Sequence, residues 1–141
     1  MDPGLGVLVF RPLTQTIMAA PEKGIHGNCF ATCVAAITGE DNVPNFAQEG
    51  KSKWFIALWT WADRLGWDVC SPNEDRLPEG VLVAMGLGPR GFKHAVLWAG
   101  GRDGMIIWDP HPDRTGLVGR PENWVSIDRD LRKRGADLWT V

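Results

Sequence analysis

Apolar positions along the chain fall into short, sharply bounded runs. Phe30, Cys33, Val34 and Ile37 recur at helical spacing between Asn28, a good N-cap, and Gly39, a good stop. That pattern predicts a helix over residues 29–38. A second helix is predicted over residues 52–65, capped by Ser52 and stopped by Gly66, with Phe55, Leu58, Trp59 and Ala62 as its buried face. Beyond it the period changes. Residues 67–70, 81–85, 94–99 and 105–109 read as strands between Gly-rich turns, with weaker candidates at 124–127 and 137–141. Residues 100–104, Gly-Gly-Arg-Asp-Gly, read as a tight hairpin connection. Residues 5–10 read as a short strand, followed by an irregular stretch over 11–27. Helices come first and an antiparallel sheet second, which defines an α+β domain, with one domain expected over residues 1–141.

Composition narrows the class. The chain is 44% hydrophobic and 23% charged, too apolar for intrinsic disorder. A net charge of −2 excludes a strongly basic nucleic-acid footprint or polybasic membrane patch. The longest apolar runs are five or six residues, too short to span a bilayer. Eight Trp with no Tyr predict a Trp-rich core, and Trp54, Trp61 and Trp124 are candidates for a surface near the site. Three Cys are too few and odd in number for a disulfide framework, so free thiols and a cytoplasmic location are expected.

One thiol stands apart. In Gly27-Asn28-Cys29-Phe30, Cys29 takes the first helical position, where free N–H groups and the helix dipole favour thiolate. Its own N–H is placed to meet an oxyanion. Cys33 lies inside the apolar stripe and reads as core. A nucleophilic thiolate needs a base held by a third group. His94 opens the strand His94-Ala95-Val96-Leu97-Trp98, and Asp109 closes its hairpin partner. With the turn centred between Gly101 and Arg102, Trp98 faces Met105, Val96 faces Ile107 and His94 faces Asp109. Asp109-Pro110 ends the strand and is expected to leave the carboxylate at the rim.

Cysteine at a helix start, His at the head of a strand and Asp-Pro one hairpin later resemble the papain-like cysteine peptidase superfamily. The nearest type is the small bacterial one typified by double-glycine leader peptidases. Gln15-Thr16, Gly27-Asn28-Cys29-Phe30, His94-Ala95-Val96 and Asp109-Pro110-His111-Pro112 also resemble small papain-like proteins of phages and bacteria. The resemblance covers residues 15–112. It implies a minimal papain-like fold in which the Cys-bearing helix packs on the sheet. It further implies Cys29 as nucleophile, His94 as base, Asp109 as orienting acid, and a peptide or protein substrate with no cofactor. The family places a Gln ahead of the Cys as oxyanion donor. Gln15 lies fourteen residues upstream of Cys29, further than is usual, unless a loop over 18–26 absorbs the difference. The Asn28 amide is the alternative donor.

Other constellations are open to weaker readings. A zinc site on His26, Cys29 and Cys33, completed by Cys70 or His111, lacks the second Cys pair of a knuckle. His111 reads as a turn residue or cleft wall. Residues 86–91, Gly-Leu-Gly-Pro-Arg-Gly, lack the Lys-Ser/Thr of a P-loop and read as a flexible loop able to act as a lid. Residues 128–134 read as a solvated turn or helix. The expected function is a thiol hydrolase or acyltransferase on an amide bond. The alternative is an inactive papain-like module that sequesters a peptide or host protein.

Overall fold

The structure, a computed structural model, describes residues 9–129. The strand expected over residues 5–10 falls largely outside them, and Val9 and Phe10 are not in a strand. The candidate over 137–141 and all but the first two residues of the 128–134 run also lie outside. Asp128 and Arg129 belong to a strand, not to a turn or helix.

Helix α1 (Cys29–Thr38) occupies the predicted residues and ends at Gly39, whose φ of 74° lets its N–H reach the Ala35 carbonyl. Phe30, Ala31, Cys33, Val34 and Ala36 are all buried, a broader face than the predicted stripe. Small Ala positions let the helix sit close on the sheet, and full burial of a side chain such as Val34 contributes about 1.5–3 kcal/mol. Helix α2 (Trp54–Arg64) starts later than expected. A 3₁₀ turn (Phe46–Glu49) leads into it, the Gly50 carbonyl receives the Lys53 and Trp54 N–H groups, and Ser52 is not its cap. Leu58 and Ala62 are fully buried, but Trp59 is 51% exposed, contrary to expectation. The inward stripe runs through buried Leu58 and Ala62 with half-buried Trp54, Phe55 and Trp61 beside them, which turns Trp59 outward.

Five strands follow: β1 (Trp67–Cys70), β2 (Leu82–Leu87), β3 (Lys93–Ala99), β4 (Met105–Trp108) and β5 (Asn123–Arg129). They form one antiparallel sheet in the order β1-β5-β2-β3-β4. The weak candidate at 124–127 is thus an interior strand. α1 packs on β2 and β3, and α2 on β1. Alternation along the strands divides the apolar side chains. Val83, Met85, Ala95, Leu97, Val125 and Ile127 join α1 and α2 in the main core. Leu82, Ala84, Val96, Trp98 and Trp124 form a second cluster, with Trp98 and Trp124 edge to face at 5.0 Å. Trp124, a candidate surface residue from sequence, is core. The architecture is α+β with a Cys-bearing helix packed on an antiparallel sheet.

The β3–β4 hairpin departs from the counted register. Gly100 and Gly101 both take positive φ, and a 3₁₀ turn (Gly101–Asp103) replaces the two-residue turn. Ala99 therefore faces Met105 and Trp98 faces Ile106. A bulge follows, after which Leu97 faces Trp108 and Ile107 is the extra residue. The bulge changes which face receives Asp109. Without it, Asp109 would fall level with Ala95, on the main-core face. With it, Asp109 falls level with Val96, on the face of His94.

Candidate active site

Cys29, His94 and Asp109 come together where α1 begins, β3 begins and β4 has just ended. His94 Nε2 and Asp109 Oδ1 are 2.7 Å apart, each side chain only 3% exposed. The contact expected from sequence is present, but it is diagonal and does not join directly opposed residues. Asp109 is also buried, not at the rim. Pro110 and His111 turn the chain back over it. Its Oδ1 also accepts the His111 N–H at 2.9 Å, and Oδ2 accepts the Gly116 N–H at 2.6 Å. Burial pushes the Asp109 carboxyl upward in pKa, but His94 and these two N–H groups outweigh it and hold it below its ordinary value.

His94 responds in the opposite sense. Burial alone would lower its pKa, but hydrogen bonds and charges from Asp109 and Cys29 raise it to about 9. Nε2 faces Asp109, which leaves Nδ1 for the Cys29 thiol. Cys29 itself is half-buried and forms no disulfide. Cys33 is buried, and burial together with the charges of Cys29 and Asp109 pushes its thiol well up. It is a neutral core residue, as its place in the stripe suggested.

The two sequence candidates for an oxyanion donor separate. Asn28 takes the N-cap position of α1 as expected, but its side chain makes no capping hydrogen bond. Its Oδ1 accepts the Ile17 N–H at 2.9 Å, and Nδ2 donates to Thr16 Oγ1 at 3.1 Å. That amide ties the preceding chain to the helix start. Gln15 is buried, 5% exposed, and Nε2 donates to the Ile17 carbonyl at 2.9 Å. The same carbonyl accepts the Asn28 backbone N–H at 3.1 Å, so the Gln15 amide lies beside the helix start. The fourteen-residue gap is folded away: Ala20 pairs with Ile25 around a 3₁₀ turn (Pro21–Lys23), which brings residues 17 and 28 together. Gly27 makes this closure possible, since a Cβ there would lie 2.8 Å from the Ala19 nitrogen. Gln15 Oε1 is buried without a protein partner.

Sequence reasoning missed the fastening of this site. Arg114 Nη1 donates to the Asp109 and His111 carbonyls at 2.8 and 2.9 Å, and Nη2 to Thr14 Oγ1 at 2.6 Å. The guanidinium also stacks 4.2 Å over Trp108, whose Nε1 donates to the Leu13 carbonyl. With Gln15 N–H on the Pro110 carbonyl, these bonds join the Gln15 segment to the Asp109 loop. His111 packs edge-on against His94 at 6.1 Å. Its Nδ1 accepts the Asp113 N–H, and burial and then Arg90 lower its pKa. A His between two Pro, directly after the acid, was the available signal.

The loop read as a lid is a closed turn: Gly88 N–H reaches Phe92 O, and Gly91 N–H reaches Gly88 O. A Cβ at Gly88 would stand 2.9 Å from His94 Cβ, so this turn packs on the His94 side chain. A shallow depression is lined by residues 106–109 and 114–116; neither Cys29 nor His94 lines it. Among the described residues, no group of three or more His, Cys, Asp or Glu could hold a metal ion, and no helix is long and apolar enough to cross a membrane. No protein-family model, curated protein or solved structure matches the chain.

Proposed function

We propose that this protein is a thiol hydrolase or acyltransferase of the small papain-like type, acting on a peptide, isopeptide or other amide bond. The observation that carries the reading is the buried 2.7 Å His94–Asp109 pair with the Cys29 thiol on the other side of the imidazole. A purely structural His has no need of a desolvated carboxylate behind it and a half-exposed thiol in front.

In the proposed reaction, the Cys29 proton rests on His94, and Sγ attacks the substrate carbonyl carbon. The Cys29 N–H, which has no intrahelical acceptor, and the second Gln15 Nε2 hydrogen meet the developing oxyanion. His94 then gives its proton to the departing amine, leaving a thioester on Cys29. Water or a second amine, deprotonated by His94, attacks the thioester and restores the thiol. Asp109 holds the imidazole in one orientation and stabilises its charge. These steps need no metal or organic cofactor. A peptide or protein substrate and a reducing compartment such as the cytoplasm fit this chemistry.

The test is the rate of Cys29 alkylation by iodoacetamide against pH, in a Cys70→Ser background because Cys70 is also exposed. Fast alkylation that collapses in His94→Ala supports the pair. Alkylation indifferent to His94 refutes the reaction and favours the peptide-capturing module. Once a substrate is found, Cys29→Ala should cost about a thousandfold or more in turnover with the fold intact.

A further inference from the structure

Cys29 and His94 stand on regular structure, and Gln15 does not. Cys29 begins α1 and His94 lies in β3, but residues 9–19 belong to no helix or strand. The Gln15 amide makes one hydrogen bond, Nε2 to the Ile17 carbonyl, and its Oε1 has no protein partner. Its position therefore follows from how the backbone around it is held. On the C-terminal side Asn28 does the holding, with Oδ1 on the Ile17 N–H and Nδ2 on Thr16 Oγ1. On the N-terminal side the loop after β4 does.

Arg114 bridges that loop and the Gln15 segment. Nη1 donates to the Asp109 and His111 carbonyls, and Nη2 crosses to Thr14 Oγ1 at 2.6 Å, directly beside Gln15 in the chain. The Trp108 ring under the guanidinium is itself bonded to the Leu13 carbonyl, and the Gln15 N–H to the Pro110 carbonyl. A residue that served the Asp109 loop alone would be complete with Nη1. The Nη2 bond adds nothing to that loop and joins residues 100 apart in sequence. Arg114 also holds φ at 52°, the left-handed region that a long side chain leaves unless its surroundings fix it there. The planar fork suits the place, because one group must meet acceptors on two segments at once.

We infer that Arg114 is a positioning residue for the oxyanion donor: by holding Thr14 against the Asp109 loop, it sets the Gln15 amide at the start of α1. This rests on the proposed reaction and deepens it. Two reactions of the Cys29 thiolate separate the roles. Attack on a carbonyl carbon moves an electron pair onto oxygen and draws on the amide. Attack on the methylene carbon of iodoacetamide expels iodide with its electron pair and builds no oxyanion. A misplaced Gln15 slows the first and spares the second.

The experiment measures both rates on the full chain in the Cys70→Ser background. Acylation is read as single-turnover release of p-nitrophenolate from p-nitrophenyl acetate, above that of Cys29→Ala. There Sγ adds to the carbonyl, and collapse of the oxyanion expels p-nitrophenolate and leaves an acetyl thioester. Gln15→Ala should lower the ratio of acylation to iodoacetamide alkylation about a hundredfold. Arg114→Asn, in which the new residue tolerates positive φ, should lower it about tenfold with the alkylation rate unchanged. Thr14→Val removes an exposed hydroxyl and should reproduce most of that loss, while Arg114→Lys should lose less. Added to Gln15→Ala, Arg114→Asn should cost little more, because both act on one amide. A ratio that Arg114→Asn and Thr14→Val leave unchanged overturns the inference. So does a fall of both rates in step, which would place the action of Arg114 on Asp109 or on stability. An alkylation rate that ignores His94 overturns the reaction itself, so the two failures are distinguishable.

Discussion

Two aspartates sit at strand ends in this sheet, and the protein treats them in opposite ways. Asp109 follows β4 and is buried, with His94 and the N–H groups of His111 and Gly116 around it, and its pKa is lowered. Asp128 lies near the end of β5, directly opposite Asp68 of β1, and its pKa is raised by burial and by that second carboxylate. Arg129, the next residue, stacks 4.0 Å over the Trp67 ring and forms an ion pair with neither acid. Partial loss of water opposes the charge in both places, although Asp128 stays exposed where Asp109 is buried. The donors decide the outcome, and they are assembled only around Asp109. The fold therefore invests backbone N–H groups, a bulge and an arginine clamp in one carboxylate and nothing in the other. That asymmetry is what a site looks like against an ordinary strand edge.

The strongest way to break the comparison is to undo what the bulge does. Inserting one Ala between Trp108 and Asp109 should carry Asp109 level with Ala95, on the opposite face and away from His94. Breaking a buried ion pair typically costs about 3–5 kcal/mol, so urea unfolding should report a loss of that order. Asp109→Asn keeps the shape and removes only the charge. His94 should then titrate far below its value of about 9, visible in its imidazole NMR shifts. If His94 still titrates near 9 in Asp109→Asn, Asp109 is not what holds its proton.

This bulge also marks the limit of what the sequence could reveal. The helix at residues 29–38 was legible because its caps and stripe are local, and so was the Cys29 position at its mouth. The His94–Asp109 contact was reached through a register that is not the real one. The three-dimensional turn shifts the count by one residue and the bulge by one more, and a shift of two preserves the face. Nothing in Met105-Ile106-Ile107-Trp108 announces a bulge, since all four residues are good strand formers. Gln15 was uncertain for a related reason: a loop closed by its own backbone bonds shortens fourteen residues to a neighbouring contact, and sequence distance cannot show that. Arg114 was invisible because its partners are carbonyls and Thr14, distant in sequence and unmarked by type.

Titration sharpens the contrast. His94 binds its proton more tightly folded than unfolded, so its contribution to stability is complete below about 6.5 and is lost as pH rises through about 9. Asp109 binds its proton less tightly folded, so its contribution is complete above 3.8 and is lost as pH falls through its lowered value. Asp128 has the reverse sign, since its raised pKa means that acid relieves a strain present at neutral pH. Stability measured against pH should therefore decline between about 6.5 and about 9, and turnover should fall as pH passes about 9 and folded His94 loses the proton it gives to the leaving amine. In His94→Gln the alkaline fall in stability should vanish while the Asp128 effect persists.

The smallest effect belongs to the unsupported acid. Asp68 and Asp128 face each other across β1 and β5, and like charges at directly opposed positions destabilise an antiparallel pair. Asp68→Asn should raise stability by about 0.2–1 kcal/mol at neutral pH and low salt. The gain should shrink in high salt, because both side chains are exposed and screening reaches them. It should also shrink as pH falls through the raised Asp128 value, where protonation has already removed one charge. Asp128→Asn should give nearly the same gain, and the double variant little more than either alone, because each substitution removes the same repulsion. Additive gains would mean that the two carboxylates act separately and that burial alone raises Asp128. The contrast with Asp109 would then rest on its donors only, not on a repulsive neighbour at the other edge.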